Sequence, residues 1–160
     1  MDTALDIPPD RLDPDEHDFV AVIREHGWFA THVREEEDLA AFSYTTGFWL
    51  EFRLPEIVLF GLTRATRHDI LWDVFRDLQG GIRWPEAERV SGVVGNADVA
   101  FFPVAARHYP EHLGWCRWFY GGDDFPCLQL VWPDRVGLFP WESGFDPALL
   151  EFQPDLSEQG

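Results

Sequence analysis

Glu56, immediately before the apolar run Ile57 to Phe60, and Glu142, between Trp141 and Ser143, are the carboxylates of this chain best placed to do chemistry. A carboxyl group in an apolar frame loses hydration of its charged form, which raises its pKa and suits it to general acid or base work. His26, ahead of Gly27 and Trp28, adds an imidazole as a third acid–base candidate. Around them stand side chains suited to hold a ligand: Tyr44, Thr46, Gln129, Trp132, Asp134, Arg135 and Trp141. The two indoles offer walls for a planar or apolar molecule, and Arg135 matches a carboxylate or phosphate. A structural account competes: Gln129 satisfies edge backbone, Asp134 and Arg135 pair across a turn, and Glu56 is simply solvated. Residue types alone leave both accounts open.

Other constellations are weaker. His108-Tyr109-Pro110-Glu111-His112 has the H-x-x-E-H spacing of a zinc helix. Pro110 belongs in a first helical turn, however, which leaves His108 outside the helix and off the face of His112. Cys116 and Cys127 are too far apart for a C-x-x-C pair, so no metal site is expected. Cys116 with His112 one turn away is the nearest thiol and base, but a cysteine among aromatic residues packs more often than it reacts. No G-x-S-x-G elbow and no dinucleotide fingerprint occurs. All twelve cationic side chains are Arg, and without lysine neither Schiff-base chemistry nor a phosphate-loop lysine is available. No particular cofactor is implied.

Composition narrows the classes further. A formal net charge of -17 opposes nucleic acid and anionic membranes, whose binding depends on clustered cations. It leaves a basic protein partner open. The 8 Trp, 14 Phe and 3 Tyr are not evidence of a ligand surface. At roughly 200 Å² each they hide about 5,000 Å², well within the order of 18,000 Å² that a chain of this mass buries on folding. The acidic, proline-bearing start lacks the pattern of a secretion signal, and no apolar run is long enough for a membrane span. A reducing cytoplasm is the expected setting, and the Arg-only usage resembles a GC-rich bacterial genome.

The elements that must position these groups follow from periodicity and punctuation. Residues 1–12 read as a flexible acidic arm and 13–156 as one compact domain. Asp13 and Pro14 open a helix that Gly27 closes. Strands are expected over 28–33 and 39–48, joined by the acidic turn 35–38, and over 56–62, buried on both faces. A helix over 65–78 follows, then a strand pair over 90–94 and 99–104 around Gly95-Asn96, a helix over 110–120, a strand over 126–132 and an irregular tail. The sum is an α+β domain with a mainly antiparallel sheet and two or three packed helices, with barrel-like closure as the first variant.

In order, His26-Gly27-Trp28, the run Phe42 to Gly47, Pro55-Glu56 with Phe60-Gly61-Leu62, the run Gln129 to Arg135, and Pro140-Trp141-Glu142 resemble a bacterial family of unknown function, the one numbered 4262. The resemblance covers most of residues 17–154. It implies a single domain and carries no reaction, so no residue role comes with it. The leading expectation is a cytoplasmic domain that binds a small planar or apolar ligand in an aromatic-lined pocket, with carboxylate acid–base catalysis as an extension. The alternative is a non-enzymatic acidic interaction protein, such as a neutralising partner of a basic toxin or a pathway accessory. A flavin or nicotinamide enzyme ranks third, on fold analogy alone.

Overall fold

The computed structural model of the protein describes residues 2–95 and 97–158. Helix α1 (Pro14–His26) starts from a reciprocal cap: Asp13 accepts from Glu16 N at 2.8 Å and Glu16 accepts from Asp13 N at 3.0 Å. Gly27, at φ 87, ends it in the left-handed conformation that glycine adopts without penalty. Strands β1 (Phe29–Val33) and β2 (Phe42–Thr46) then form the expected hairpin. A short helix, α2 (Phe48–Phe52), precedes β3 (Glu56–Phe60), and α3 (Arg64–Gln79) follows it. The second half contains β4 (Val90–Val94), β5 (Ala97–Pro103), α4 (Tyr109–His112), α5 (Gly114–Tyr120) and β6 (Cys127–Val131).

The six strands lie in the order β1-β2-β3-β6-β5-β4. Each half contributes three antiparallel neighbours, and the halves join through the parallel β3–β6 pair, with Glu56 opposite Cys127 and Val58 opposite Gln129. The fold is therefore α+β with a mixed, mostly antiparallel sheet, but the barrel-like variant is not realised. Closure needs the outer strands to pair, whereas β1 and β4 stand at opposite edges of an open sheet.

Helices cover both faces, and strand alternation sorts the core into two layers. Phe42, Tyr44, Val58, Phe60 and Cys127 face α1, α4 and α5. Ile57, Leu59, Phe101 and Leu130 face α3, whose Ile70, Leu71, Val74 and Phe75 meet them with Trp28 and Phe48. At about 1.5–3 kcal/mol for each large apolar side chain buried, these layers supply most of the favourable free energy of folding.

Three expectations change. Residues 2–12 are docked, not loose: Ala4 is buried in the core, Leu5, Ile7 and Leu12 pack against it, and Arg24 donates to Leu5 O at 2.6 Å. The strand expected over 39–48 stops at Thr46, because Gly47 turns the chain into α2. The helix expected over 110–120 breaks at Leu113, whose φ of -115 and ψ of 43 separate α4 from α5. In the expected Gly95-Asn96 turn, Asn96 lies outside the described residues.

The tail returns along the sheet and is held through its main chain. Gln129, buried on the central strand β6, donates to Pro154 O at 2.6 Å and accepts from Leu156 N at 3.0 Å. Gln153 answers with a matched pair to the amide and carbonyl of Trp132, at 2.8 and 3.0 Å. Replacing Gln129 by Leu leaves these tail groups without partners and is expected to cost roughly 1–3 kcal/mol. Urea unfolding measures the loss, and hydrogen exchange at the Leu156 amide should accelerate by a larger factor than in the sheet. Unchanged exchange there would mean that the tail is held by something else.

Candidate functional site

The sequence-derived candidates separate into distinct places. Glu56 is 0 % exposed at the start of β3 and accepts five hydrogen bonds. Three come from the amides of Gly47, Phe48 and Trp49 at 3.1, 3.1 and 3.0 Å, one from the Thr45 hydroxyl at 2.8 Å, and one from the Tyr120 hydroxyl. Gly47 has no side chain with which to cap α2, so the carboxylate of another strand caps it instead. Burial pushes this carboxyl up from its ordinary value, while the bonds from Tyr120, Trp49, Thr45 and Gly47 pull the other way. Gly47 is itself obligatory: at φ 123, a Cβ there would meet Gly27 O at 2.4 Å and Trp28 Cα at 2.8 Å.

Tyr44 and Thr46 are buried beside this knot. The Tyr44 hydroxyl accepts from Trp115 N at 3.0 Å, and Thr46 Oγ1 lies 3.1 Å from Cys116 Sγ. Burial, then the charge of Glu56, keeps the Cys116 thiol protonated. The Cys127 thiol is pushed up by the same two causes. Gln129 and Trp132 serve the tail, and the Trp132 indole N–H donates to Phe60 O at 2.7 Å. His26 is exposed at the end of α1, next to Glu25.

Asp134, Arg135, Trp141 and Glu142 lie on the loop after β6. Asp134 accepts from the amides of Val136, Leu138 and Asp146, at 3.0, 2.9 and 3.2 Å. Desolvation raises its pKa, but the main-chain bonds together outweigh it and hold the carboxyl below its ordinary value. Glu142 accepts from Phe139 N at 2.9 Å and pairs with Arg89, and both partners keep its pKa low. Pro133, Asp134 and Arg135 do line an open hollow of about 830 Å³ with Ser91, Gly92 and Asp98. The indoles do not wall it. Trp141 instead stacks on Phe139 at 4.8 Å, and Trp132 is turned toward β3.

A cluster absent from the sequence reading combines more ionisable chemistry. His32 and Ser43 are directly opposite in the β1–β2 register, with His32 Nδ1 and Ser43 Oγ 2.6 Å apart. Arg67, from the first turns of α3, donates its Nε to the same Oγ at 2.8 Å, and its Nη1 to the carbonyls of Gly61 and Leu62 at 2.9 and 3.1 Å. Arg67 fills one acceptor position of Ser43, and the imidazole tautomer sets whether the hydroxyl donates to His32 Nδ1 or accepts from it. On its other edge, His32 Nε2 faces His68 Nδ1 at 3.3 Å. Burial first, then the fields of Arg64, His68 and Arg67, lower the His32 pKa to about 4, so the ring is neutral at pH 7.

Arg67 is 3 % exposed and, among the described residues, makes no ion pair within 4 Å. Burial lowers its pKa, and Glu35 is the carboxylate whose field opposes this. Ser43 is fully buried between its partners, so it presents no attacking oxygen to a substrate. Arg64 and His68 are exposed, and His32 is half-buried. The surface of the cluster therefore offers the Arg64 guanidinium with two imidazoles beside it. Two signals in the sequence mark it: a polar cross-strand pair in the first hairpin, and basic residues with no acid in the first turn of α3.

The zinc reading of the H-x-x-E-H block gains no support from geometry. Pro110 sits in the first turn of α4, His108 precedes that helix, and among the described residues no three potential ligands converge. The Glu56 knot yields a direct expectation. Glu56→Gln keeps the shape but replaces an acceptor oxygen by a donor facing donors, and should lower the unfolding free energy by about 3 kcal/mol or more. Equilibrium denaturation measures it, and wild-type stability would mean that α2 is held without this carboxylate.

No curated protein and no solved structure gives a significant match. The blocks Gly27-Trp28, Tyr44 to Gly47, Glu56, Gln129 to Arg135 and Glu142 nonetheless occupy defined structural roles, and a family model spans residues 22–146, more than half of the chain. The chain belongs to the family described as Domain of unknown function (DUF4262).

Proposed function

We propose that this domain binds a small anionic molecule, a carboxylate or a phosphate ester, at the surface formed by Arg64, His68 and His32 over the buried Arg67. The observation that carries this reading is a buried arginine, 3 % exposed, whose guanidinium among the described residues bonds to neutral oxygens alone, those of Ser43, Gly61 and Leu62. A buried charge is costly unless paired.

The position of the cluster strengthens the case. The start of a helix carries partial positive charge, which favours acids there and disfavours cations. The first turns of α3 hold Arg64, Arg67 and His68 without an acidic residue in the first turn, in a chain of net charge -17. Charges so placed raise the energy of the empty protein and fall in energy when an anion arrives. The half-buried Trp72, whose ring centroid is 6.3 Å from that of His68, offers an aromatic face for a planar ligand body.

Binding is coupled to His32. Burial first and the neighbouring basic groups second hold its pKa near 4; a bound anion offsets the second cause, so the ring takes up proton character as the anion binds. Without ligand, the unfolded chain binds this proton near the ordinary histidine value of about 6.5, and the folded chain only at about 4. Between those limits the unfolded state holds more proton, so the contribution of His32 to stability is lost as pH falls through the window. Thermal unfolding from pH 7 to pH 4 should show a shallower decline in His32→Gln than in wild type.

Calorimetry and thermal shift with inorganic phosphate, benzoate and phenyl phosphate test the site. A ligand at a hundredfold its Kd adds about 2.7 kcal/mol, a rise of roughly 5–10 °C in Tm for a domain of this size. The exposed double variant Arg64→Gln, His68→Gln should keep its own Tm and lose that response. Equal responses in both proteins, or none in either, would dismiss the site.

A further inference from the structure

In the turn from β3 to α3 and on the tail, three large apolar side chains stand in solvent together: Leu62, Leu150 and Phe152, exposed by 42, 51 and 47 %. They line one hollow of about 830 Å³, with Leu39, Ala40 and Ala41. Its other lining residues include Glu35 to Asp38 and Glu151, and no cation. We infer that this hollow docks a cationic amphipathic segment of another protein, apolar side chains seated on Leu62, Leu150 and Phe152 and basic ones meeting the acidic rim.

Leu62 carries two separate costs. It is an exposed leucine, and its backbone sits at φ 58, a left-handed conformation that few residues other than glycine and asparagine adopt. Strain held in place by its surroundings is a mark of a working position. The surroundings here are explicit: Arg67 binds the carbonyls of both Gly61 and Leu62, and Gly61 N donates to Ala41 O at 2.8 Å. Gly61 is packed so closely that a Cβ would lie 2.9 Å from the Trp132 ring and 3.0 Å from Phe152 O.

The opposite wall is equally fixed, since Gln129 and Gln153 pin the tail immediately beyond Phe152. The hollow is thus formed before any partner arrives, which spares the partner the cost of ordering it. Charge selects the occupant. Five carboxylates around an apolar floor repel a second copy of this acidic chain, and repel lipid and nucleic-acid phosphates in the same way. A basic segment with an apolar face satisfies both parts of the surface. Arg67 braces Leu62 from below whether or not an anion binds, so this docking surface does not require the anion reading to hold.

The test uses the intact protein and two short synthetic amphipathic peptides, one of leucine and lysine, the other of leucine and glutamate, measured by fluorescence anisotropy. Binding of the lysine peptide is expected, weakening as salt rises from about 50 to about 200 mM, with no binding of the glutamate peptide. Leu62→Asn should weaken the lysine peptide about tenfold or more while leaving Tm unchanged or higher, because asparagine tolerates the left-handed backbone. Leu150→Asn, and Glu36→Gln with Glu37→Gln, should weaken it comparably. Asp15→Asn with Asp18→Asn, remote on α1, should change nothing. Equal loss in that remote variant, binding of both peptides alike, indifference to Leu62→Asn, or a dimer of the free protein that Leu150→Asn dissolves would each overturn the proposal.

Discussion

Everything near the centre of the sheet depends on one buried carboxylate finding enough donors. Glu56 opens β3 at the parallel seam, where β3 meets β6, and a charge or a bare carboxyl group is costly there unless it is fully bonded. Gly47 supplies the solution. By turning the chain at φ 123 it aims the first amides of α2 at Glu56, and it does so only because no Cβ separates it from Gly27 and Trp28. Tyr120 reaches the same carboxylate from α5, so the knot ties the end of β2, the start of α2, the start of β3 and α5 together. A group that began as a candidate acid or base is fully occupied in holding four elements in register.

That occupation shifts attention to groups less completely satisfied. The polar network of His32, Ser43 and Arg67 also bridges sheet and helix, but it ends at the surface in Arg64 and His68 and carries cations where helix electrostatics disfavours them. The Glu56 knot is closed: donors and acceptor match, and solvent is absent. The Arg67 network is open on one side and unbalanced in charge. Natural sequences depart from local consistency mainly where a ligand or partner restores it.

Much of the architecture was legible because it rests on local signals. Asp13-Pro14 and Gly27 mark α1 through capping chemistry, and the unbroken apolar run from Ile57 to Phe60 marks a strand covered on both faces. Three features were not legible for stated reasons. Helix α2 follows a strand-like pattern and is stabilised by Glu56 from outside its own sequence. The break at Leu113 parts two short segments that are each helical, and the Gly114 beside it is a residue that a continuous helix tolerates, so one helix is the simpler pattern. The open sheet depends on a parallel pairing between strands far apart in sequence, which no local pattern encodes. For the site, residue types correctly located polar groups of consequence, but pooled Glu56, Gln129, Asp134 and Glu142 in one hollow. Each is absorbed by main chain that the fold brings beside it: Glu56 by the first amides of α2, Gln129 by the tail, and Asp134 and Glu142 by their own loop. His32, Ser43 and Arg67 escaped notice because their meeting depends on hairpin register and on the docking angle of α3.

The glutamine clasps on the tail have a wider implication. Gln129 grips the carbonyl of residue 154 and the amide of residue 156, and Gln153 grips the main chain of Trp132, so of the captured strip these four bonds use two peptide groups and the one side chain of Gln153. Residues 150–152 are thereby freed from any duty in holding the strip down. One rim of the apolar hollow is an interchangeable fitting on a fixed mount: its chemistry can be rewritten position by position while the scaffold beneath keeps its shape.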